Sequence, residues 1–161
     1  MSSITELHNK FQAINSLQLL SYIAKFCKDN GIHINITKAQ KLMYCCYGVV
    51  LAKFGTRLVD EQPEAWQYGP VFPSALHSAQ FFGLDEFIDG KTDDMDALPG
   101  DVHNLIDDAL RHFGQYTALQ LSNWTHLSGS PWSKASCAGT LLRVPLNDSD
   151  IKEYFLVRVL R

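Results

Sequence analysis

Apolar residues recur at three- and four-residue spacing along most of the chain, which is the pattern of helices that bury one face. In the first of these segments, Ser16 is predicted to cap a helix and Asn30-Gly31 to end it. The apolar face between these signals consists of Leu17, Leu20, Ile23, Ala24 and Cys27. We therefore expect a first amphipathic helix, followed by a short extended piece over residues 32–36.

A second helix is predicted over about residues 38–54, with Gly55 ending it. Thr37 and Gln40 have the capping-box spacing, in which each side chain satisfies a free backbone N–H at the start of a helix. The apolar face of this helix consists of Ala39, Leu42, Met43, Cys46, Val49 and Val50. Gly48 lies inside it at a cost of about 1 kcal/mol relative to alanine, which indicates a neighbour that packs close.

Residues 58–73 have no helical period, and they contain three prolines and a Gly-Pro step. We expect an ordered, largely extended loop here, held down by Trp66, Tyr68, Val71 and Phe72. A short helix is predicted over residues 73–82, because Gly83 follows it. Residues 84–100 are acidic and end in Pro-Gly, so they are predicted to form a mobile loop.

The most regular helix is predicted to run from an Asp101 cap to Gly114, with a single apolar face of Val102, Leu105, Ile106, Ala109, Leu110 and Phe113. Thr117 and Gln120 repeat the capping-box spacing and open a further helix. Later signals predict a helical turn at Pro131-Trp132 and a last helix from about Asn147 that turns Ile151, Tyr154 and Phe155 inward.

These elements predict an all-α fold class: a single compact multi-helix domain over residues 1–161 with an ordered Gly-Pro loop. The composition agrees, since 46% of the 161 residues are hydrophobic and 19% are charged, as in ordinary globular domains. The longest apolar stretches are too short to cross a membrane, and the first residues have no signal-peptide pattern. We therefore expect a cytoplasmic protein without a membrane partner.

Charge is concentrated in one segment, because residues 83–110 carry a net charge of -8 while the whole chain carries -3. One interpretation is an ordinary solvated loop. The other is a surface that attracts a basic partner protein, since complementary potentials raise association rates. The candidate partner-binding residues are Asp85, Glu86, Asp89, Asp93, Asp94 and Asp96.

No pattern of catalytic or metal-ligating residues accompanies these helices. The six histidines have no paired-ligand spacing, the four cysteines have no C-x-x-C pair, and no phosphate-binding glycine motif is present. Ser130, Ser133 and Cys137 lack an activating context near His126. We predict a non-enzymatic protein with reduced, structural cysteines, no cofactor and no bound metal.

A nucleic-acid partner receives little support from the sequence. The net charge is negative, and Lys38 and Lys41 are the basic residues closest to the start of the second helix. Two lysines on a capped helix are more typical of a solvated face. We therefore do not expect nucleic-acid binding.

Three ordered strings resemble the Panacea antitoxin domain, a family that includes SocA-like proteins. The first is ITKAQKLMYCCYGVVLAKFG followed by EAWQYGPVFPSAL, which has the K-L-x-Y helix and the A-W-x-x-G-P-V segment of the family. The second is LSNWTHLSGSPW, and the third is the I-K-x-Y-F sequence at residues 151–155. The matching positions are Lys41, Leu42, Tyr44, Ala65, Trp66, Gly69, Pro70, Val71, Leu121, Thr125, His126 and Trp132.

The resemblance implies an antitoxin that binds and neutralises a cognate protein toxin by direct contact, and the acidic segment favours a basic toxin. An alternative is an adaptor that delivers a partner protein to a cytosolic protease. Most motif positions have residue types that pack, so we interpret them as mainly structural. Gly69 and Pro70 are expected to turn the chain, and Trp66 and Trp132 are expected to fill the core.

Overall fold

The computed structural model describes residues 11–160, which form eight α-helices and three short strands. The helices are α1 (Ser16–Asp29), α2 (Ile36–Phe54), α3 (Pro73–Phe82), α4 (Asp93–Asp96), α5 (Gly100–Phe113), α6 (Ala118–Thr125), α7 (Pro131–Ala135) and α8 (Asp148–Arg158). A 3₁₀ helix spans Leu84–Phe87. The strands are β1 (Glu64–Trp66), β2 (Gly69–Val71) and β3 (Val144–Pro145).

The centre of the fold is α2, in which every residue from Lys38 to Ala52 is buried. It packs against α1, α3, α5, α6, α8 and β2. A helix surrounded by neighbours on all sides can bury residues around its whole circumference. The polar-looking residues Lys41, Tyr44 and Tyr47 are therefore as buried as the predicted apolar face.

A small antiparallel sheet lies beside α2, so the prediction of a purely all-α fold was wrong. Strands β1 and β2 form a hairpin in which Ala65 pairs with Pro70. Strand β3 pairs with the other edge of β1, which gives the order β2-β1-β3. Three-residue strands are too short to show a period of two, and β3 comes from a region for which the sequence predicted no element.

Two of the predicted caps were assigned to the wrong residue. The cap of α1 is Asn15, whose side chain accepts the backbone N–H of Leu17, and the cap of α2 is Asn35, which accepts the N–H of Lys38 at 2.8 Å. Gln40 does not close a capping box, because its side-chain oxygen accepts the backbone N–H of Phe72 instead. The residue that competes for Gln40 lies 32 positions away, beyond the range of a local pattern.

The start of α5 also differs from the prediction, while α6 agrees with it. Helix α5 begins at Gly100, and the carboxylate of Asp101 accepts the N–H of its own neighbour Val102. The predicted capping box of Thr117 and Gln120 at the start of α6 is confirmed in both of its hydrogen bonds.

The acidic segment is a packed part of the fold, which corrects the prediction of a mobile loop. It contains the 3₁₀ helix and α4, and it buries Met95 and Leu98 in the core. Asp94 joins it to the start of α1, because its carboxylate accepts the N–H of Asn15 at 3.2 Å and its own N–H donates to Gln18 at 2.7 Å. Met95 and Leu98 are among the apolar residues of this segment, and their burial anchors it in the core.

Candidate functional site

The family-motif residues from three separate elements meet at Gly69. Its φ of +118° suits a residue without a side chain, and a Cβ there would overlap Cε of Lys41 from α2 and Oγ1 of Thr125 from α6. The ammonium of Lys41 donates to the carbonyl of Pro70 at 3.0 Å. The K-L-x-Y helix and the G-P-V strand are thus held together by direct contact, as the structural interpretation of these residues requires.

The turn of the hairpin is held by residues from the end of α6 and from α7. The indole N–H of Trp132 donates to the carbonyl of Trp66 at 2.7 Å. Nε2 of His126 lies 2.9 Å from the carbonyl oxygen of Gln67, and Nδ1 of the same ring contacts the carbonyl of Ser122. Within the described residues, the polar contacts of His126 are thus mostly to main-chain oxygens, which places it in the scaffold.

The two tryptophans have different environments. Trp132 is buried, as predicted, and the centroid of its ring lies 4.0 Å from the centroid of the His126 ring. Trp66 is only half-buried, so the prediction that it fills the core was wrong. Its indole N–H donates to Glu64 at 2.9 Å, and the guanidinium carbon of Arg143 lies 4.6 Å from its ring centroid, in cation–π geometry. Trp66 is therefore available at the surface.

Lys41 is buried without a countercharge. Only 1% of this residue is exposed, and within the described part of the chain its ammonium forms no ion pair. Desolvation by burial lowers the pKa of Lys41 to about 8, an effect that the neighbouring Cys45 partly opposes. Lys38 is also buried and donates to the carbonyl of Gly114 at 2.8 Å, so neither lysine belongs to the solvated face expected from the sequence.

A cleft of about 440 Å³ lies over this region, and we call it the Lys41 cleft. It lies between α2, the hairpin, α3 and the chain before β3, and its lining includes Gln40, Lys41, Trp66, Val71, Leu76 and Arg143. The side-chain NH2 of Gln40 is buried and has no hydrogen-bond partner within residues 11–160. Among the described residues, no carboxylate lines the cleft. The cleft thus combines apolar walls with unpaired hydrogen-bond donors.

The loop between α7 and β3 reaches the edge of this cleft in an unusual conformation. Cys137, Ala138 and Arg143 have positive φ values of 50°, 58° and 60°, a region that costs non-glycine residues roughly 1 to 2 kcal/mol each. The N–H of Arg143 donates to the carbonyl of Ala65 at 2.7 Å, which holds the arginine beside Trp66. This loop presents the partly exposed Leu142 at the cleft.

Helix α3 connects the Lys41 cleft to the acidic segment. Leu76 and Gln80 line the cleft, and the next two residues, Phe81 and Phe82, are 82% and 62% exposed. The two phenyl rings pack edge to face with centroids 4.8 Å apart. Sequence reasoning missed this pair, although two adjacent phenylalanines cannot both face one stripe of a helix, since consecutive side chains diverge by about 100°.

The structure places the predicted partner-binding carboxylates directly after this helix. Five of the six are exposed, namely Asp85, Glu86, Asp89, Asp93 and Asp96. Asp94 is the exception, because it is partly buried and holds α4 against the start of α1. The six residues thus divide into five surface carboxylates and one with a structural contact.

A second, larger groove of about 560 Å³ lies between α5, α6 and α8, with Phe113, Trp124 and Val159 among its lining residues. Of the twelve motif positions, only Leu121 lines it. The described residues contain no group of three or more His, Cys, Asp or Glu side chains placed to hold a metal ion. Cys27, Cys45 and Cys46 are buried and unpaired, and Cys137 is exposed.

Comparison with known proteins assigns the chain to a protein family. A family model described as antitoxin SocA-like, Panacea domain, matches residues 40–133, which run from α2 to α7 and include most residues that line the Lys41 cleft. The chain therefore belongs to the Panacea family of SocA-like antitoxins, as the sequence motifs predicted.

One characterised relative makes the family assignment more specific. The chain is 33% identical over 138 residues to Antitoxin SocA of Caulobacter vibrioides (strain NA1000 / CB15N), a match that covers 77% of this chain and 73% of that protein. No solved structure matches the chain. None of the described helices is long and apolar enough to span a membrane.

Proposed function

We propose that this protein is an antitoxin that binds a protein toxin directly and blocks its action. The binding surface consists of the Lys41 cleft, the exposed pair Phe81 and Phe82, and the five exposed carboxylates after α3. We call the whole of it the α3 surface. Family membership supports the antitoxin role, and the geometry of α3 supports the choice of surface.

The observation that carries the proposal is the exposure of Phe81 and Phe82 beside a cleft. Large aromatic side chains rarely remain in water on a free-standing domain without a reason, and they are enriched among the residues that dominate binding energy. The pair lies between the cleft-lining Gln80 and the 3₁₀ helix that begins at Leu84. An apolar centre with a polar, charged border is the usual arrangement of a protein interface.

The carboxylates supply the border and favour a basic toxin. They follow Phe82 within fifteen residues, and only Lys91 offsets them there. A surface of one sign speeds the approach of a partner of the opposite sign. In this proposal the carboxylates speed association and the phenylalanines hold the complex.

The proposal is tested by co-expression with the protein encoded in the reading frame next to this gene. We expect the wild-type chain to restore growth and to form a stable complex that survives gel filtration. Phe81→Ala together with Phe82→Ala should abolish both effects while leaving the melting temperature nearly unchanged, because both rings are exposed.

The matched control is Leu119→Ala, which removes a side chain that is also exposed but lies on α6. This variant should rescue growth as well as the wild type does. Equal rescue by the double phenylalanine variant would mean that the toxin binds elsewhere. Loss of the toxin from cells, without a stable complex, would favour the protease-adaptor hypothesis instead.

A further inference from the structure

Two residues that line the Lys41 cleft have hydrogen-bond donors that the described part of the chain does not satisfy. The ammonium of Lys41 has three N–H groups and, within residues 11–160, one acceptor, the carbonyl of Pro70. The amide NH2 of Gln40 is buried with no acceptor among the same residues, while its oxygen accepts the N–H of Phe72. Buried donors of this kind are uncommon in folded proteins and call for an explanation.

The charge of the cleft also favours a hydrogen-bond acceptor from outside the described chain. A buried ammonium without a countercharge is unfavourable, and a carboxylate within hydrogen-bond distance is the usual remedy. Arg143 adds a second positive charge at the edge of the cleft, and no lining residue is acidic. The cleft therefore complements a negatively charged group that comes from outside the described chain.

The shape of the cleft identifies the kind of group. Its walls include the apolar side chains of Ile36, Val71, Leu76 and Leu142, and the donors are few. A carboxylate on an apolar tether, which is an aspartate or glutamate side chain, fits such a lining better than a phosphate, whose oxygens need hydrogen-bond donors on several sides.

We propose that the Lys41 cleft binds an acidic side chain of the toxin, whose carboxylate accepts hydrogen bonds from Lys41 and Gln40. This inference rests on the proposed antitoxin function and adds a chemical class of contact to it. The rest of the α3 surface then holds the body of the toxin, and the cleft fixes the position of the inserted acidic side chain. Trp66 and Arg143 border the entrance and contact the stem of the inserted side chain.

The first test uses a library of random dodecapeptides displayed on phage, each joined to the coat protein by its carboxyl end. A displayed peptide then has no free C-terminal carboxylate, so its own carboxylates come only from Asp and Glu side chains. Selection on the folded wild-type chain at pH 7, with counter-selection on Lys41→Met, should enrich peptides that contain Asp or Glu. A synthetic enriched peptide should bind Lys41→Met and Gln40→Glu about tenfold or more weakly than the wild type.

The two variants probe the cleft in different ways. Lys41→Met keeps an unbranched side chain that is one heavy atom shorter and removes the charge. Gln40→Glu keeps an oxygen to accept the N–H of Phe72 but places a carboxylate inside the cleft, where it repels the incoming one. Circular dichroism and thermal unfolding confirm that each variant is folded. Lys53→Met, which alters an exposed lysine near the end of the same helix, should bind like the wild type.

Three results would overturn the inference: no enrichment of acidic peptides, equal binding by Lys41→Met, or displacement of the peptide by inorganic phosphate but not by acetate. Growth rescue separates this inference from the proposed function. If Lys41→Met and Gln40→Glu rescue as well as the wild type, the cleft inference fails while the antitoxin proposal stands. If the wild type itself does not rescue, the antitoxin proposal fails.

Discussion

The ring of Phe155 in α8 lies against Gly48 of α2, so closely that a Cβ at position 48 would overlap the ring. The glycine inside α2 is therefore a packing requirement, as its position in the sequence indicated. This contact joins the last helix to the centre of the domain, where Phe155 also packs edge to face with Tyr44 at a centroid distance of 5.4 Å.

Gly48→Ala should destabilise the domain by about 1 kcal/mol in urea unfolding. Alanine gains roughly 1 kcal/mol of helix propensity over glycine, but overpacking against Phe155 costs about 1 to 3 kcal/mol. The control is the same substitution in a Phe155→Leu background, where the overlap is relieved and Gly48→Ala should be neutral or stabilising. Stabilisation in the wild-type background would contradict the prediction and show that Phe155 of α8 can move away from position 48 at little cost.

The two motif tryptophans should respond differently to truncation. Trp132→Ala removes a buried ring and its hydrogen bond to Trp66, so we expect a loss of about 3 to 5 kcal/mol in the free energy of unfolding. Trp66→Ala should cost only about 1 kcal/mol, because the residue is only partly buried. Thermal and urea unfolding measure both. Equal losses of stability in the two variants would mean that Trp66 is a core residue, as the sequence alone had predicted.

Burial of Lys41 makes stability depend on pH. Its pKa is about 8 in the folded chain against an ordinary value of 10.5, so the unfolded chain binds more protons between these values. Stability therefore rises with pH through this window. Relative to Lys41→Met, the wild type should gain about 1 kcal/mol between pH 7 and pH 9.

Urea unfolding of both proteins at pH 7, 8 and 9 measures this difference. Comparison at each pH removes effects that the two proteins share, such as those of Cys27, whose pKa burial raises to about 11. Lys53→Met is again the matched control, and its difference from the wild type should not change with pH. A constant difference between wild type and Lys41→Met would mean that Lys41 stays charged and well solvated.

The acidic segment should affect the rate of toxin binding more than stability. Replacing Asp89, Asp93 and Asp96 with asparagine should slow association at low salt, and the difference from wild type should fade at high salt, since screening then acts over about 3 Å. Asp94 is left intact because of its contacts to α1. Stopped-flow mixing measures the rates, and unfolding should barely change.

The control makes the same change in net charge elsewhere, through substitution of the exposed carboxylates Asp29, Asp60 and Glu153 by their amides. This variant should associate almost as fast as the wild type. If both triple variants slow association equally, net charge alone is responsible. If neither does, the segment has no part in association.

Much of the helical framework follows from the sequence, because its signals are local. The three- and four-residue spacing of apolar positions located α1, α2 and α5 within a few residues, and the capping box of Thr117 and Gln120 located α6 and formed as predicted. Gly48 indicated that another element packs close to α2, but the sequence did not identify Phe155 as that neighbour. The motif strings identified the family, because a motif is recognised from the order of its residues alone and requires no knowledge of their contacts.

Tertiary structure decided the features on which the candidate site depends. Pairing of β1 with β3 joins residues about 80 positions apart, and the side-chain oxygen of Gln40 accepts the N–H of Phe72, 32 positions away, rather than closing a box with Thr37. The burial of Lys41 likewise follows from elements that close around α2. Periodicity reports which face of a segment is apolar. It cannot report how many neighbours cover that segment, because coverage depends on contacts between distant parts of the chain.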